Sequence, residues 1–448
     1  MVAQLLFARI DCSEFENRTG FTLAGLRPGW AVRQQRLAAL VVCTSYSAYI
    51  HVALRRELLS KHQSSTTILL RSMRSALART SLLGLARSMA TTPTKRVAAM
   101  EVMLAMNPAD AARYGRDGGF AHAGSSAGRH VEKLYEAGRL QGSLARATTA
   151  LFDGKVKHAL VVSGFYVLHD RGGPGTTGSC ETDGPPGALA IVRALCARGI
   201  QTSLYCDAHN GPVLRAGFEA MVAYYEGKRP DIATRLRSHC RCVDVDDRSD
   251  HLAALKVSIA KAWGPVEVDA LVAIERLSEP YRNIRGLDLS DHTEPIDVLW
   301  PHVNGDSCSN ARRLAGIKED AVSIGIGDGG NEVGLGAIAQ LEAVKELSPG
   351  ADFCALEVNG ALRRCDCPVV ATVSNWGGSA LEAAAHVLFP VELDDLEAGV
   401  ERRVLEAICA AGSVDGKYVE LPLSVDGMAW EPVHREFYEA LWAVRPDN

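Results

Sequence analysis

Five short apolar runs, separated from one another by helical patterns, decide what this chain can fold into. They are "HALVVSGF" (158–165), "QTSLYC" (201–206), "DALVAIE" (269–275), "AVSIGIG" (321–327) and "CPVVATVS" (367–374). A strand that is apolar throughout, rather than at alternate positions, has to be covered on both faces. A further strand, "RCVDV" (241–245), is weaker. Helices are predicted over 130–152, 185–199, 212–226, 251–263, 308–318, 332–347 and 377–389. Pro185 and Pro186 suit a first helical turn, and Gly199 suits the far end of that helix. Alternation of this kind predicts an α/β fold: a doubly wound, mostly parallel sheet with helices on both faces, in three layers.

In such sheets ligands bind beyond the carboxyl ends of the strands. The unusual residues of this chain fall at those ends. "FYVLHDRGGPGTTGSCETDGPPGA" follows Gly164, Asp207 follows the second strand, and "ERLSEPYRNIRG" follows Ile274. "GDGGNE" follows Ile326 and "SNWGGSA" follows Val373. Glycine lets a ligand approach the backbone, and the glycine-rich turn before the Pro-Pro helix start predicts N–H groups facing an anion. Gly175, Thr176, Thr177 and Gly184 are the binding candidates there.

The second glycine loop, "GIGDGGNEVGLG" (325–336), holds six glycines and also Asp328, Asn331 and Glu332. Acids repel phosphate, so this loop is expected to meet an ammonium group or a metal. Clustered carboxylates serve as metal ligands or as proton-transfer groups. Asp328, Glu332, Asp183 and Glu181 are the candidate acids and bases. Asp328, Glu332 and Asp183 are the candidate ligands should a magnesium or manganese ion be used. Glu275, Gly329, Gly330, Asn331, Ser374, Asn375, Trp376 and Gly377 complete the expected substrate site. Arg276 and Arg285 are candidates to clamp a carboxylate. Asp183 and Asn375 also fit as plain helix caps, and Trp376 also fits as packing under its loop.

In that order, "ETDGPPGA", "VAIERLSEPYRNIRG", "GIGDGGNEVGLG" and "SNWGGSAL" resemble the D-glutamate cyclase-like C-terminal domain family, over roughly residues 98–395. The resemblance implies conversion of D-glutamate to 5-oxo-D-proline and water, a carbon–oxygen lyase (hydro-lyase) reaction. It implies no certain cofactor. On this reading Asp328 or Glu332 is the base, Glu181 or Asp183 the acid, the glycine-loop amides hold an oxyanion, and Arg276 or Arg285 holds the α-carboxylate. The animal enzyme carries a hydratase-like domain ahead of this one, and residues 1–97 are too short and too unlike it. A separate hydratase-like partner chain, a homo-oligomer or a non-catalytic amino-acid-binding module are therefore further expectations. A different reading comes from "GDGGNE", which also resembles the acidic loop of magnesium-dependent haloacid-dehalogenase-like phosphatases. Asp207 would then be the nucleophile and Ser163 a phosphate contact, although His209 stands where such enzymes place a second aspartate.

The N-terminal part is different material. From Leu58 to Met100 there is no Asp or Glu, while Lys61, Arg71, Arg74, Arg79, Arg87, Lys95 and Arg96 are present. An Arg-rich, Ser-rich, acid-free stretch predicts a transit peptide and a mitochondrial matrix location. Such a peptide should begin a chain, which points to Met73 as the start. Residues 1–97 are thus expected to be a transit peptide or an over-extended start, largely disordered. The uncharged stretch 37–54 is long enough to span a bilayer, but its Ser, Thr, Tyr and His51 make it a poor span. No membrane association is expected. Residues 396–448 read as two helices packing on the same domain. A net charge of −5 gives no pull toward nucleic acid, so the expected partner is a small molecule. The twelve cysteines include two CxC pairs, 240/242 and 365/367, too tightly spaced for a zinc cluster.

Overall fold

In the computed structural model the described residues are 92–105, 131–168, 177–245, 250–283, 286–341, 344, 360–390, 399–419 and 422–444. The transit-like segment up to residue 91, the stretch 37–54, Gly175, Thr176 and Arg285 lie outside them. The chain opens with helices α1 (Pro93–Leu104), α2 (Val131–Ala137) and α3 (Ser143–Phe152). Strand β1 (His158–Ser163), the short hairpin β2 (Tyr166–Leu168) and β3 (Gly178–Cys180), and helix α4 (Pro185–Ala197) follow. Next come β4 (Gln201–Cys206), α5 (Gly211–Glu226), α6 (Pro230–His239), β5 (Cys240–Asp244), α7 (His251–Trp263) and β6 (Val268–Ile274). The last part holds α8 (Ser309–Ala315), β7 (Ile317–Gly327), α9 (Gly336–Ala339), β8 (Cys367–Val370), α10 (Ser374–Leu388) and α11 (Gly399–Ala410). A two-stranded ribbon, β9 (Ser424–Val425) with β10 (Met428–Ala429), and helix α12 (Arg435–Ala443) close it.

The main sheet has the order β5-β4-β1-β6-β7-β8, and every pair in it is parallel. The chain winds outward from β1 through β4 to β5, returns to β6 on the other side of β1, and winds outward again. This is the doubly wound fold, with its winding reversed between β1 and β6. Register brings the strand ends level. Ser163 lies opposite Ile274, and Ile274 opposite Ile326. Glu275 and Gly327, the residues that follow, therefore emerge side by side at the switch point.

Apolar side chains fill both faces because strand residues point alternately up and down. Ala159, Val161, Leu204, Val272 and Ile324 enter one core, with α4, α5 and α10. Leu160, Val162, Tyr205, Leu271 and Ala273 enter the other, with α7 and the fully buried Trp300. Helices α4 and α10 cross at glycines. A Cβ on Gly378 would overlap the carbonyl oxygen of Gly187, and one on Gly187 would lie 2.8 Å from the Asn375 Cα. Only glycine permits that approach, and it brings the two helix starts together.

Two predicted elements differ. The helix expected over 130–152 is broken between α2 and α3, where Arg139 and Gly142 take positive φ. The helix expected from 332 begins at Gly336, because Glu332 is bound into the loop before it. Helix α1 straddles the boundary drawn at residue 97, and Thr372 N donates to the Leu104 carbonyl at its end.

The C-terminal helices are tied in by charge. Arg193 of α4 donates to both oxygens of Glu382 on α10, at 2.6 and 2.5 Å, and to Glu401 on α11 at 2.7 Å. All three residues are buried. Arg193→Ala would leave two carboxylates facing each other in a dry interior. It is expected to cost about 3–5 kcal/mol of stability, checked by chemical denaturation of the two proteins.

Candidate active site

The site is built where β1 and β6 end. Glu275 takes a φ of +43°, the left-handed region that a non-glycine residue rarely adopts. Gly184 faces it with a φ of +98°; a Cβ there would lie 2.7 Å from the Glu275 Cβ and 2.8 Å from the Ser163 Oγ. Asp328 arrives on the loop after β7 and Asp183 on the turn before α4. Each of Asp183, Glu275 and Asp328 places an oxygen within 4.8 Å of the other two, and all three residues are buried.

Asp183 and Asn375 hold this arrangement by capping each other's helix. Asp183 accepts from Ser374 N at 2.9 Å and Asn375 N at 2.8 Å, the first turn of α10, and from its own neighbour Gly184 N at 2.9 Å. Asn375 Oδ1 accepts from Gly184 N at 2.9 Å and Gly187 N at 2.8 Å, at the start of α4, and its amide donates to the Thr182 carbonyl. Side-chain oxygens on helix-start N–H groups satisfy donors that the helix itself leaves open. The N–H groups of Gly187, Ser374 and Asn375 are thus taken by protein, as is that of Gly184, which was expected to face an anion. Pro185 and Pro186 contribute none.

Glu275 differs from its neighbours. Its Oε2 accepts from the Ser374 hydroxyl at 2.5 Å. Burial, then the nearby carboxylates of Glu332, Glu181 and Asp183, push its carboxyl well above the usual range, and the Ser374 bond opposes this only in part. The site thus sets one carboxyl that favours its proton beside other carboxylates, an arrangement suited to acid–base chemistry. The three oxygens also converge closely enough to surround a small cation, with Glu275 where the sequence reading put Glu332. Magnesium or manganese would accept such an all-oxygen set.

Several expected site residues do other work. Glu332 accepts from Gly329 N at 2.8 Å and Gly330 N at 2.7 Å, so it braces its own loop, and those two amides point at it rather than at an oxyanion. Asn331 ties the same loop across to the Arg282 carbonyl. Arg276 is buried and turned away. It pairs with Asp207 at 2.8 Å and donates to the carbonyls of Gly164 and Glu294, which removes it as a carboxylate clamp. Asp207 also accepts from His209 N and Asn210 N, so a nucleophilic role would need both its oxygens released. Trp376 donates to His434 Nδ1 at 3.0 Å and stacks on Phe437 at 4.0 Å, anchoring the C-terminal segment. Gly377 lets α10 lie against Ile326 of β7. Thr177 is exposed just before β3. Glu181 is buried beside Gly416, where a Cβ would overlap its carboxylate.

Two contributors escaped the sequence reading. Asp297, inside an otherwise apolar stretch, accepts from Glu279 N at 2.9 Å and the Tyr281 hydroxyl at 2.5 Å, and so shapes the loop after Glu275. An acid within "EPIDVLW" was the available signal. The segment around 413–427 walls the site: Thr182 N donates to the Val414 carbonyl and the Thr182 hydroxyl to the Ser424 carbonyl. It carries no motif.

With the site laid out, comparison with known proteins has a geometry to attach to. The family model described as D-glutamate cyclase-like, C-terminal, matches residues 122–442. This chain belongs to that family. The match runs through the boundary drawn at 395 and takes in the C-terminal wall of the site. The chain is 30% identical to the mitochondrial D-glutamate cyclase of Homo sapiens over 215 residues. That alignment covers 47% of this chain and 30% of the human protein, so the chain spans well under half the length of that relative. The four quoted motifs of this D-glutamate cyclase-like domain supply Asp183, Glu275, Asp328, Ser374 and Asn375, which meet in the structure.

Asn375→Ala removes the acceptor of two N–H groups and the donor to Thr182. It is expected to cost about 2 kcal/mol, measured by thermal and denaturant unfolding. An unchanged midpoint would show that the cross-caps are not stabilising.

Proposed function

We propose that this protein is a D-glutamate cyclase, forming 5-oxo-D-proline and water from D-glutamate, with Asp328 as base and Glu275 as acid. The observation that carries this reading is the convergence of Asp183, Glu275 and Asp328 at the switch point, in a member of the D-glutamate cyclase-like family. The substrate's ammonium suits a carboxylate centre, where bare phosphate would be repelled. That preference, together with the commitment of both Asp207 oxygens, favours the cyclase over a phosphohydrolase.

The chemistry moves two protons from nitrogen to oxygen. Asp328 takes the first from the ammonium, and the freed amine attacks the side-chain carboxyl carbon. The C–N bond forms as Glu275 gives its proton to one carboxyl oxygen. The second nitrogen proton restores Glu275. Asp328 returns its proton to the departing hydroxyl as the C–O bond breaks, so water leaves and both residues end as they began. Holding the amine against the carboxyl carbon supplies much of the acceleration, and the protonated carboxyl supplies general acid catalysis. Ser374 orients Glu275, while Asp183 fixes both helix starts around it.

Full-chain protein should convert D-glutamate, and not L-glutamate, to 5-oxoproline, followed by chiral chromatography with and without magnesium or manganese. Asp328→Asn and Glu275→Gln are each expected to lower kcat by at least about a hundredfold. Saturable binding of D-glutamate without turnover would instead support a binding module or a reaction that needs a partner chain. The sign of the pH dependence follows from Glu275. Its acid role requires the proton, so wild-type turnover falls as pH rises through its elevated pKa. Because the folded protein holds this proton more tightly than the unfolded chain, Glu275 lowers stability as pH rises above the ordinary carboxyl range. Glu275→Gln is therefore expected to be inactive yet more stable than wild type at neutral pH. Loss of both activity and stability would assign Glu275 a structural role.

A mitochondrial location is part of this proposal, supported by the acid-free segment at 58–100 and by the similarity to the human mitochondrial enzyme. N-terminal sequencing of the native protein should find a start between Met73 and the beginning of α1; an intact Met1 would remove this part.

A further inference from the structure

A cyclase of this kind must bind an α-carboxylate close to a pocket lined by acids. Of the two arginines that the sequence offered for it, Arg285 lies outside the described residues and Arg276 is paired with Asp207, while the N–H groups of both helix starts are taken by Asp183 and Asn375. Arg282 donates to the Gly286 carbonyl and lies 3.8 Å from Asp288. We infer that the aromatic cluster of Tyr166, His209 and His292 is the subsite that holds the substrate's α-carboxylate, an inference that rests on the cyclase reading.

Three separate elements bring these rings together on the same rim. Tyr166 begins β2, two residues beyond Gly164 at the end of β1. His209 follows Asp207 at the end of β4. His292 closes the short turn 290–292. The Tyr166 and His292 rings stack at 4.5 Å and 14°. His209 meets both edge-on, at 5.0 Å from Tyr166 and 5.4 Å from His292. The backbone ties the cluster to the elements that carry the carboxylates. Phe165, beside Tyr166, accepts from Glu181 N at 2.8 Å, and Tyr166 is paired with Cys180. Arg276, beside Glu275, donates to the Gly164 carbonyl, to Asp207 and to the Glu294 carbonyl two residues beyond His292.

The chemistry of the cluster suits a carboxylate. Imidazoles donate N–H bonds and carry positive charge when protonated. The His292 Nδ1 is shielded from solvent and makes no hydrogen bond within the protein. Burying such an atom unpaired costs free energy that a ligand would recover. Stacking fixes the rings in advance, so little side-chain entropy is lost on binding. The Arg276–Asp207 pair next to them is internally neutralised and does not compete for the anion.

The test titrates full-length protein carrying 15N-labelled histidine, first with glutarate, which has both carboxylates and no amine, then with D-glutamate. His209→Asn and His292→Asn assign the two imidazole signals, and circular dichroism verifies their folds. The expected result is a saturable shift of both signals with glutarate. Each variant should raise KM for D-glutamate about tenfold with kcat within about twofold of wild type. Unmoved signals in wild-type protein would overturn the subsite, whether or not the variants fold. So would a variant whose KM is unchanged. A saturable glutarate shift in a protein that never makes 5-oxoproline would keep the subsite and reject the cyclase reading.

Discussion

Each of two helices in this protein is capped by a side chain from the start of the other. Asp183 sits before α4 and closes α10; Asn375 sits in α10 and closes α4. The exchange works because the helices touch at Gly187 and Gly378, where neither tolerates a Cβ. Its consequence is electrostatic as well as mechanical. A carboxylate at a helix start is favoured by the helix dipole, and Asp183 stands at the start of α10. Ser374, fixed by the same cap, turns its hydroxyl onto Glu275.

That frame sets two carboxyl groups in different surroundings within one small volume. Asp183 receives three N–H bonds. Glu275 receives one hydroxyl and is pressed by burial and by the carboxylates of Glu332, Glu181 and Asp183, so its carboxyl favours the proton. The positive φ at Glu275 belongs to the same design, since strain at a strand end persists only where the surroundings enforce it. Gly184, facing it, leaves the necessary room.

Much of this was legible in the residues. Apolar runs at 158–165, 201–206 and 269–275 required two covered faces, and their alternation with helical patterns pointed to the parallel sheet. The strand-end rule pointed to the rim on which Asp183, Glu275 and Asp328 converge. What was hidden is direction. Sequence spacing cannot show that Arg276 folds under the sheet end to meet Asp207, or that Glu332 curls back onto Gly329 and Gly330. Both look like ligand contacts when read in line, because a charged group beside glycine carries no mark of which way it turns. The contributions of Asp297 and of the 413–427 segment come from contacts distant in sequence, and no local pattern announces them. Trp376 carried both readings, and its stacking on Phe437 decides for packing.

The C-terminal segment packs against the candidate site. Its backbone accepts from Thr182, its Gly416 leaves space for the Glu181 carboxylate, and His434 holds Trp376 in the first turn of α10. The family match through residue 442 agrees with that integration. The whole account turns on one proton, that of Glu275, and carboxyl-labelled glutamate in the full chain reads it directly by 13C NMR, with Glu275→Gln assigning the signal. The account expects the Glu275 resonance to remain at its protonated position at neutral pH, while surface glutamates titrate near 4.3. A Glu275 signal that titrates along with them would contradict it.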